Sequence, residues 1–258
     1  MASPHDLVGL YLDAMRHWLL SDTNWESVRQ TDYRIAVLPW GATEAHNRHL
    51  PYATDTIQAY AVADRAAELA WSKGAKVLVL PAVPFGVQTG QREVPFCLNL
   101  NPSTQQSIIR DIALSLIDHG IGKLVILNGH GGNDFRQIIR ELQGQLPLLI
   151  AQVNWYQVVD ASQYFGEPGD HAGELETSAM LHLRPDLVRP LDEAGSGEAR
   201  RSPITAFREG WAWTPRKWID VTDDTGVGDP RYASAEKGAA FVDAVVDRIA
   251  GFLVEWER

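Results

Sequence analysis

The chain has 258 residues, 45% hydrophobic and 22% charged, the balance of an ordinary globular protein, and that length suits one α/β domain spanning 1–258. With 23 basic against 33 acidic residues the formal net charge is −10, which disfavours nucleic acid as a partner because phosphate binding needs a basic face. Cys97 is the only cysteine, so an intrachain disulfide is excluded. The absence of a basic-then-apolar leader and of any run of about 18 apolar residues sets the expectation of a cytoplasmic protein that engages no membrane.

Leu7, Leu10, Tyr11, Met15, Trp18 and Leu19 recur at helical spacing, which predicts an amphipathic helix over 5–20. An apolar run predicts a buried first strand over 33–39. It leads into Gly41-Ala-Thr-Glu44-Ala-His46-Asn-Arg-His49-Leu-Pro51-Tyr-Ala-Thr-Asp55, and then an Ala-rich helix over 56–71. A second strand over 76–80 ends at Pro81. The stretch 81–102 is irregular and rich in Pro, Gly and Asn, a length that usually marks function or an interface. Ser103-Thr-Gln-Gln106 has the pattern of a capping box. The helix it opens places Ile109, Ile112 and Leu116 on one face, and Gly120 is suited to end it in the left-handed conformation. A third strand over 123–127 runs into Asn128-Gly-His130-Gly-Gly-Asn133, followed by a helix to about 145 and a fourth strand over 148–153. Strands alternating with helices imply βαβ units and a mainly parallel sheet covered on both faces. His171-Ala-Gly-Glu174-Leu-Glu176-Thr-Ser178 then runs into a helical stretch over 179–183. Residues 190–234 read as mostly irregular, with Trp211, Trp213 and Trp218 close together, and a last helix covers 235–256.

Three sequence-distant loops carry side chains that bind metals. Glu44 and His46 are two apart and point the same way in an extended segment. Asp55 stands at the start of a helix, where a carboxylate caps N–H groups or faces a cation. His130 lies in the second loop, and His171, Glu174 and Glu176 in the third. Loops at the carboxyl ends of parallel strands open on one edge of the sheet. Histidine with carboxylates and no cysteine suits Zn²⁺, Mn²⁺ or Fe²⁺, and a bridging carboxylate such as Asp55 suits two ions roughly 3.5–4 Å apart. That is equipment for amide hydrolysis. Other readings stand beside it. Asp55 is also suited to be a helix cap, and Gly-His-Gly-Gly-Asn to be a phosphate turn, although it lacks the P-loop lysine and the dinucleotide pattern. His49 is expected to hydrogen-bond its own loop, Cys97 to be a small buried residue, Glu174 to face solvent, and the tryptophans to be an interface or core feature rather than a pocket.

Taken together, 38–51 with Asp55, 128–133 and 171–178 resemble the creatininase (creatinine amidohydrolase) family, in the right order over roughly 35–185. The resemblance implies a three-layer αβα sandwich, two divalent ions per chain, a homohexamer and a small-molecule substrate. It implies Glu44, His46, Asp55 and His130 as ligands, with Asp55 bridging, and His171 as the proton shuttle. Creatinine-cleaving members carry Tyr-Glu after the turn histidine, the Glu being a ligand. Here Gly131 and Gly132 stand there, and Glu167 replaces a substrate-contacting tryptophan. Trp155 falls where another pocket tryptophan is expected.

The chain is thus expected to be a metal-dependent amidohydrolase acting on a non-peptide or small cyclic amide. Alternatives are a formamide, a peptide or a cyclic keto-sugar hydrolysed at the same site, or a metal-binding protein without turnover, against which the retained His171 argues. In this reading Asp170 orients His171, and the N–H groups of Gly131 and Gly132 add oxyanion donors. Charge completes the ligand set. Two divalent ions bring +4; Glu44, Asp55 and a hydroxide bring −3 in all. Burying the remaining +1 is costly, and Glu176 is expected to supply the carboxylate that Gly132 lacks.

Overall fold

The computed structural model describes residues 16–258. Most of the helix expected over 5–20 therefore lies outside the described residues. Its last residues, 17–20, form a turn instead, because Leu19 pairs in a bridge with Val79 at the sheet edge. A short helix, α1 (Trp25–Arg29), follows, capped by the Asn24 side chain on the Ser27 N–H.

Runs of valine, isoleucine and leucine form the sheet, whose strands are β1 (Ile35–Trp40), β2 (Val77–Val79), β3 (Lys123–Asn128) and β4 (Leu149–Asn154). All pairings are parallel and the order is β2-β1-β3-β4, with Val37 opposite Val79 and Val125. Side chains alternate across the strands. Ile35, Val37, Val77, Val79, Val125 and Leu127 face one core, while Ala36, Leu38, Trp40, Leu78, Leu124 and Ile126 face the other. The first core is closed by α2 (Thr54–Ser72), α5 (Glu174–Leu183) and α8 (Ala235–Glu257), and the second by α3 (Pro102–Asp118) and α4 (Arg136–Gln143). Small residues on α2 (Ala59, Ala63, Ala66, Ala67 and Ala70) are buried and let the helix lie close to the sheet. The result is the expected αβα sandwich.

One detail differs from expectation. The capping box at Ser103 does not form, because α3 starts two residues earlier, with Asn101 at the cap and Pro102, whose fixed φ suits the first helical position, at its head. The segment 190–234 is mostly irregular, as expected, and includes two single-turn α-helices, α6 (Thr205–Arg208) and α7 (Trp218–Val221). Gly120 does adopt the left-handed conformation, at φ 79°. No helix among the described residues is long and apolar enough to cross a membrane.

The strand order opens a crevice. The chain leaves β1 toward β2 on one side, then returns across β1 to add β3 on the other. The loops after β1 and β3 therefore diverge at the carboxyl edge of the sheet, where α/β proteins bind ligands.

Candidate metal centre

The loop after β1 is pinned at both ends of its ligand run. The Glu44 N–H bonds the Tyr52 carbonyl at 3.1 Å, and Asn47, left-handed at φ 54°, donates its N–H to Thr225 Oγ1 at 2.9 Å. The turn after β3 is tied by its two asparagines. Asn128 Nδ2 bonds the His130 carbonyl (2.8 Å), and Asn133 Nδ2 bonds Asn128 Oδ1 (3.0 Å). The third loop is held by paired backbone bonds between His171 and Val227.

Each of three buried histidines has one ring nitrogen on a backbone carbonyl: His46 Nδ1 on Glu44 (3.0 Å), His130 Nε2 on Val87 (3.1 Å) and His171 Nε2 on Ala45 (2.8 Å). A carbonyl only accepts, so those nitrogens carry hydrogen and the opposite nitrogens are left to face the crevice. His46 Nε2 lies 3.0 Å from Asp55 Oδ1 and 3.9 Å from Glu176 Oε2. His130 Nδ1 lies 2.7 Å from Glu44 Oε1 and 3.1 Å from Asp55 Oδ2. His171 Nδ1 lies 4.0 Å from Glu44 Oε1. Glu44 Oε1 and Asp55 Oδ2 are buried without a hydrogen-bond donor. Three groups offer ligand atoms within 4.8 Å of one another: Glu44, Asp55 and His130; His46, Asp55 and Glu176; and Glu44, His46 and His171.

Lone pairs facing carboxylates at such distances repel unless a proton or a cation lies between them. Burial alone would lower the His46 pKa, but the carboxylates of Asp55, Glu176 and Glu44 raise it to about 10, and Glu44 and Asp55 likewise lift His130 well above its usual value. Burial would raise Asp55, yet the two imidazoles hold it far below the normal carboxylate range. Glu176 is raised by burial, with His46 and His171 opposing. Buried acceptors without donors and histidines fixed from behind by carbonyls fit a divalent cation bound by nitrogen and oxygen.

The crevice widens into a cavity of about 1030 Å³ whose walls include Gln91, Tyr156, Asp170, His171, Trp213 and Arg216, together with Gly131 and Gly132. Several expectations are corrected by this geometry. Trp155 does not line the cavity: β4 ends at Asn154, and the single turn after it sends Trp155 into the core, 5.9 Å from the Phe241 ring, and Tyr156 toward the site. Asp170 does not orient His171; its carboxylate pairs with Arg216 at 2.6 Å, and the Ala45 carbonyl orients the imidazole instead. Glu174 is buried rather than solvent-facing, paired with Lys237. The tryptophans do not act as one cluster: Trp211 and Trp213 are exposed, whereas Trp218 is buried edge-on against His171. His49 is buried with Nε2 2.8 Å from Thr177 Oγ1, and Cys97 is buried, as expected of a small residue. Gln91, Tyr156 and Arg216 are not foreseen from sequence, since no motif surrounds them.

The family described as creatininase, creatinine amidohydrolase, matches residues 21–253. A mycofactocin precursor peptide peptidase of Mycobacterium tuberculosis is 30% identical, over 84% of this chain and 85% of its own. A creatinine amidohydrolase of Pseudomonas putida is 28% identical, over 86% and 89%. Among solved structures, a Bacteroides fragilis protein provisionally described as a creatinine amidohydrolase superposes with a TM-score of 0.91 at 46% identity, over 94% of this chain and 97% of that one. Creatininase structures in a Zn–Zn and a Mn form each superpose with a TM-score of 0.76 at 25% identity, over 92% of this chain and 97% and 98% of theirs. With the fold, the ligand groups and the family match all in agreement, this chain belongs to the creatininase family of metal-binding hydrolases.

Proposed function

We propose that the chain hydrolyses a C–N amide bond with two divalent ions, one held by Glu44, Asp55 and His130, the other by His46, Asp55 and Glu176. The observation that carries this reading is Asp55. Its two oxygens face two different histidines, Oδ1 toward His46 at 3.0 Å and Oδ2 toward His130 at 3.1 Å, the disposition of a bridging carboxylate. When bound, such an ion pair supplies a nucleophile from water at neutral pH and polarises the scissile carbonyl. The protein's own residues do the rest. His171 keeps its Nε2–H on the Ala45 carbonyl, so its Nδ1 is the atom that passes a proton to the leaving nitrogen. The N–H groups of Gly131 and Gly132 and the Tyr156 hydroxyl serve as donors to the substrate oxygen. Trp213 and Arg216 form the outer wall.

The substrate is a small molecule and the assembly a homohexamer, as the family resemblance implies. Creatinine is a poor candidate, since Gly131 and Glu167 stand where its cleaving enzymes carry aromatics. A peptide is the second reading. The cavity, at about 1030 Å³, lies at the top of the usual range of roughly 300–1,000 Å³ for ligand sites and accepts more than a single small ring. The test is metal analysis of the Zn²⁺- or Mn²⁺-loaded chain, followed by assays on creatinine, other cyclic amides, formamides and short peptides. Two ions per chain and turnover of a non-creatinine amide are expected. His171→Ala should keep both ions and lose ~10²–10⁴-fold in kcat. One ion at saturation, or loss of metal in that variant, would refute the assignment.

A further inference from the structure

Glu44 has two oxygens and only one of them is free. Oε2 accepts a hydrogen bond from the side-chain amide of Gln91, a buried residue closing the single turn Thr89–Gln91. Oε1 has no donor and points at His130 Nδ1, 2.7 Å away. The direction of the Gln91 amide is set from behind. The Cys97 thiol lies 3.4 Å from Gln91 Oε1 as a donor, and the same sulfur accepts the Ala45 N–H at 3.3 Å. A flipped amide would set Oε1 against Glu44 Oε2, two acceptors in contact, and would leave the thiol facing an NH₂ group. Burial pushes the thiol pKa up, which keeps its hydrogen in place. The loop is joined to the ligand loop by the Leu98 N–H on the Thr43 carbonyl at 3.0 Å and closed on itself by the Val94 N–H on the Gln91 carbonyl at 2.9 Å. By contrast, Glu176 is fixed by the Ala172 N–H at 2.5 Å, remote from this chain of bonds.

We propose that Gln91, locked in direction by Cys97, is the positioning residue that makes Glu44 present a single oxygen to the ion it shares with His130 and Asp55. Groups that hold a ligand from behind fix its orientation and are worth ~10–100-fold in metal affinity when removed. The loss falls on that metal position and spares the other, whose ligands His46, Asp55 and Glu176 share no hydrogen bond with Gln91. Gln91 also lines the cavity, so the residue that aims the ligand borders the substrate. This inference rests on the two-ion reading of the site.

The experiment is a metal titration of the full chain, by calorimetry and chelator competition with Zn²⁺, resolving both binding steps. Gln91→Leu keeps volume and removes the donor; it should weaken one step ~10–100-fold and leave the other unchanged. Combined with Glu44→Gln, it should add almost nothing, whereas combined with Glu176→Gln its effect should persist in full, the signature of residues acting as one unit. Cys97→Ala should show a smaller loss at the same step, restored by Cys97→Ser, whose hydroxyl also donates. If Gln91→Leu does not fold, the cysteine pair carries the test. Equal weakening of both steps, additivity with Glu44→Gln, or unchanged affinity would overturn the proposal. If the unsubstituted chain binds only one ion, the two-ion reading itself has failed; if it binds two and Gln91→Leu matches it, only this inference has.

Discussion

Adding a single methyl group at Gly132 should damage this protein more than the same change at its neighbour. A Cβ built on Gly132 meets His130 Nε2 and the Val87 carbonyl oxygen, each at 2.4 Å. Those two atoms are the ends of the 3.1 Å hydrogen bond that fixes the His130 ring, so the methyl group intrudes directly on that bond. Either the imidazole rotates or the backbone at Val87 retreats. Overpacking of this kind costs ~1–3 kcal/mol, and leaving a buried partner unsatisfied a further ~1–3 kcal/mol. Partial relaxation brings the expected sum to about 2–4 kcal/mol. For a chain of this size each kcal/mol moves Tm by roughly 2–4 °C, so Gly132→Ala should lower Tm by ~4–16 °C. Rotation of His130 also misdirects Nδ1, which should weaken metal binding ~10–100-fold. At Gly131 the nearest atom to a built Cβ is the Tyr156 hydroxyl at 4.0 Å, an ordinary contact, so Gly131→Ala should stay within ~0.5 kcal/mol of the parent. Thermal unfolding and a metal titration on both variants decide the matter. Equal effects at the two positions, or a Gly132→Ala protein with parental Tm and metal content, would refute the reasoning.

Asp55→Asn should weaken both metal-binding steps, because each oxygen of that carboxylate serves a different group; metal analysis that finds one ion retained at full occupancy would refute the bridging role. Glu176→Gln should weaken the step shared with His46 at least ~10-fold while leaving the His130 step intact, read by the same titration. Metal affinity should rise with pH. The His46 pKa is raised to about 10, so in the metal-free protein that imidazole holds a proton at neutral pH, which the incoming ion must displace, and the penalty fades only as pH approaches 10. Titrations in buffers of different ionisation enthalpy should therefore show proton release on metal uptake at pH 7, and no release would count against it.

The strands were legible because Ile35–Leu38, Val77–Leu80 and Leu124–Leu127 are apolar on both faces, as only a sheet covered twice requires. The ligands were legible because chemistry restricts which residue types hold a metal, and Glu44, His46 and His130 stand in the loops after strands with Asp55 at the head of the helix that follows. What stayed hidden depends on register and on distant partners. Trp155 and Tyr156 are neighbours, and the turn after Asn154 decides which of them reaches the cavity. Asp170 precedes His171 in sequence, yet its side chain turns to Arg216, 46 residues further on. Glu174 looked exposed only because Lys237, its partner, lies on the last helix. Gln91 bears no functional group that marks a site, and only the fold brings it to Glu44.

The outer wall of the cavity, Trp213 to Arg216, belongs to the connection between two single-turn helices, whereas the metal-facing side chains hang from strand ends and from the start of α2 and α5. Heredity acts differently on these two parts. A sheet edge tolerates little drift, because a one-residue slip turns every side chain to the wrong face, while a surface connection accepts insertions and substitutions at small cost. Descendants of one ancestor can thus alter what the outer wall admits by rewriting one surface stretch, with the metal-facing side chains passed on unaltered. Transplanting 205–218 from a relative of different substrate is the corresponding route for redesign.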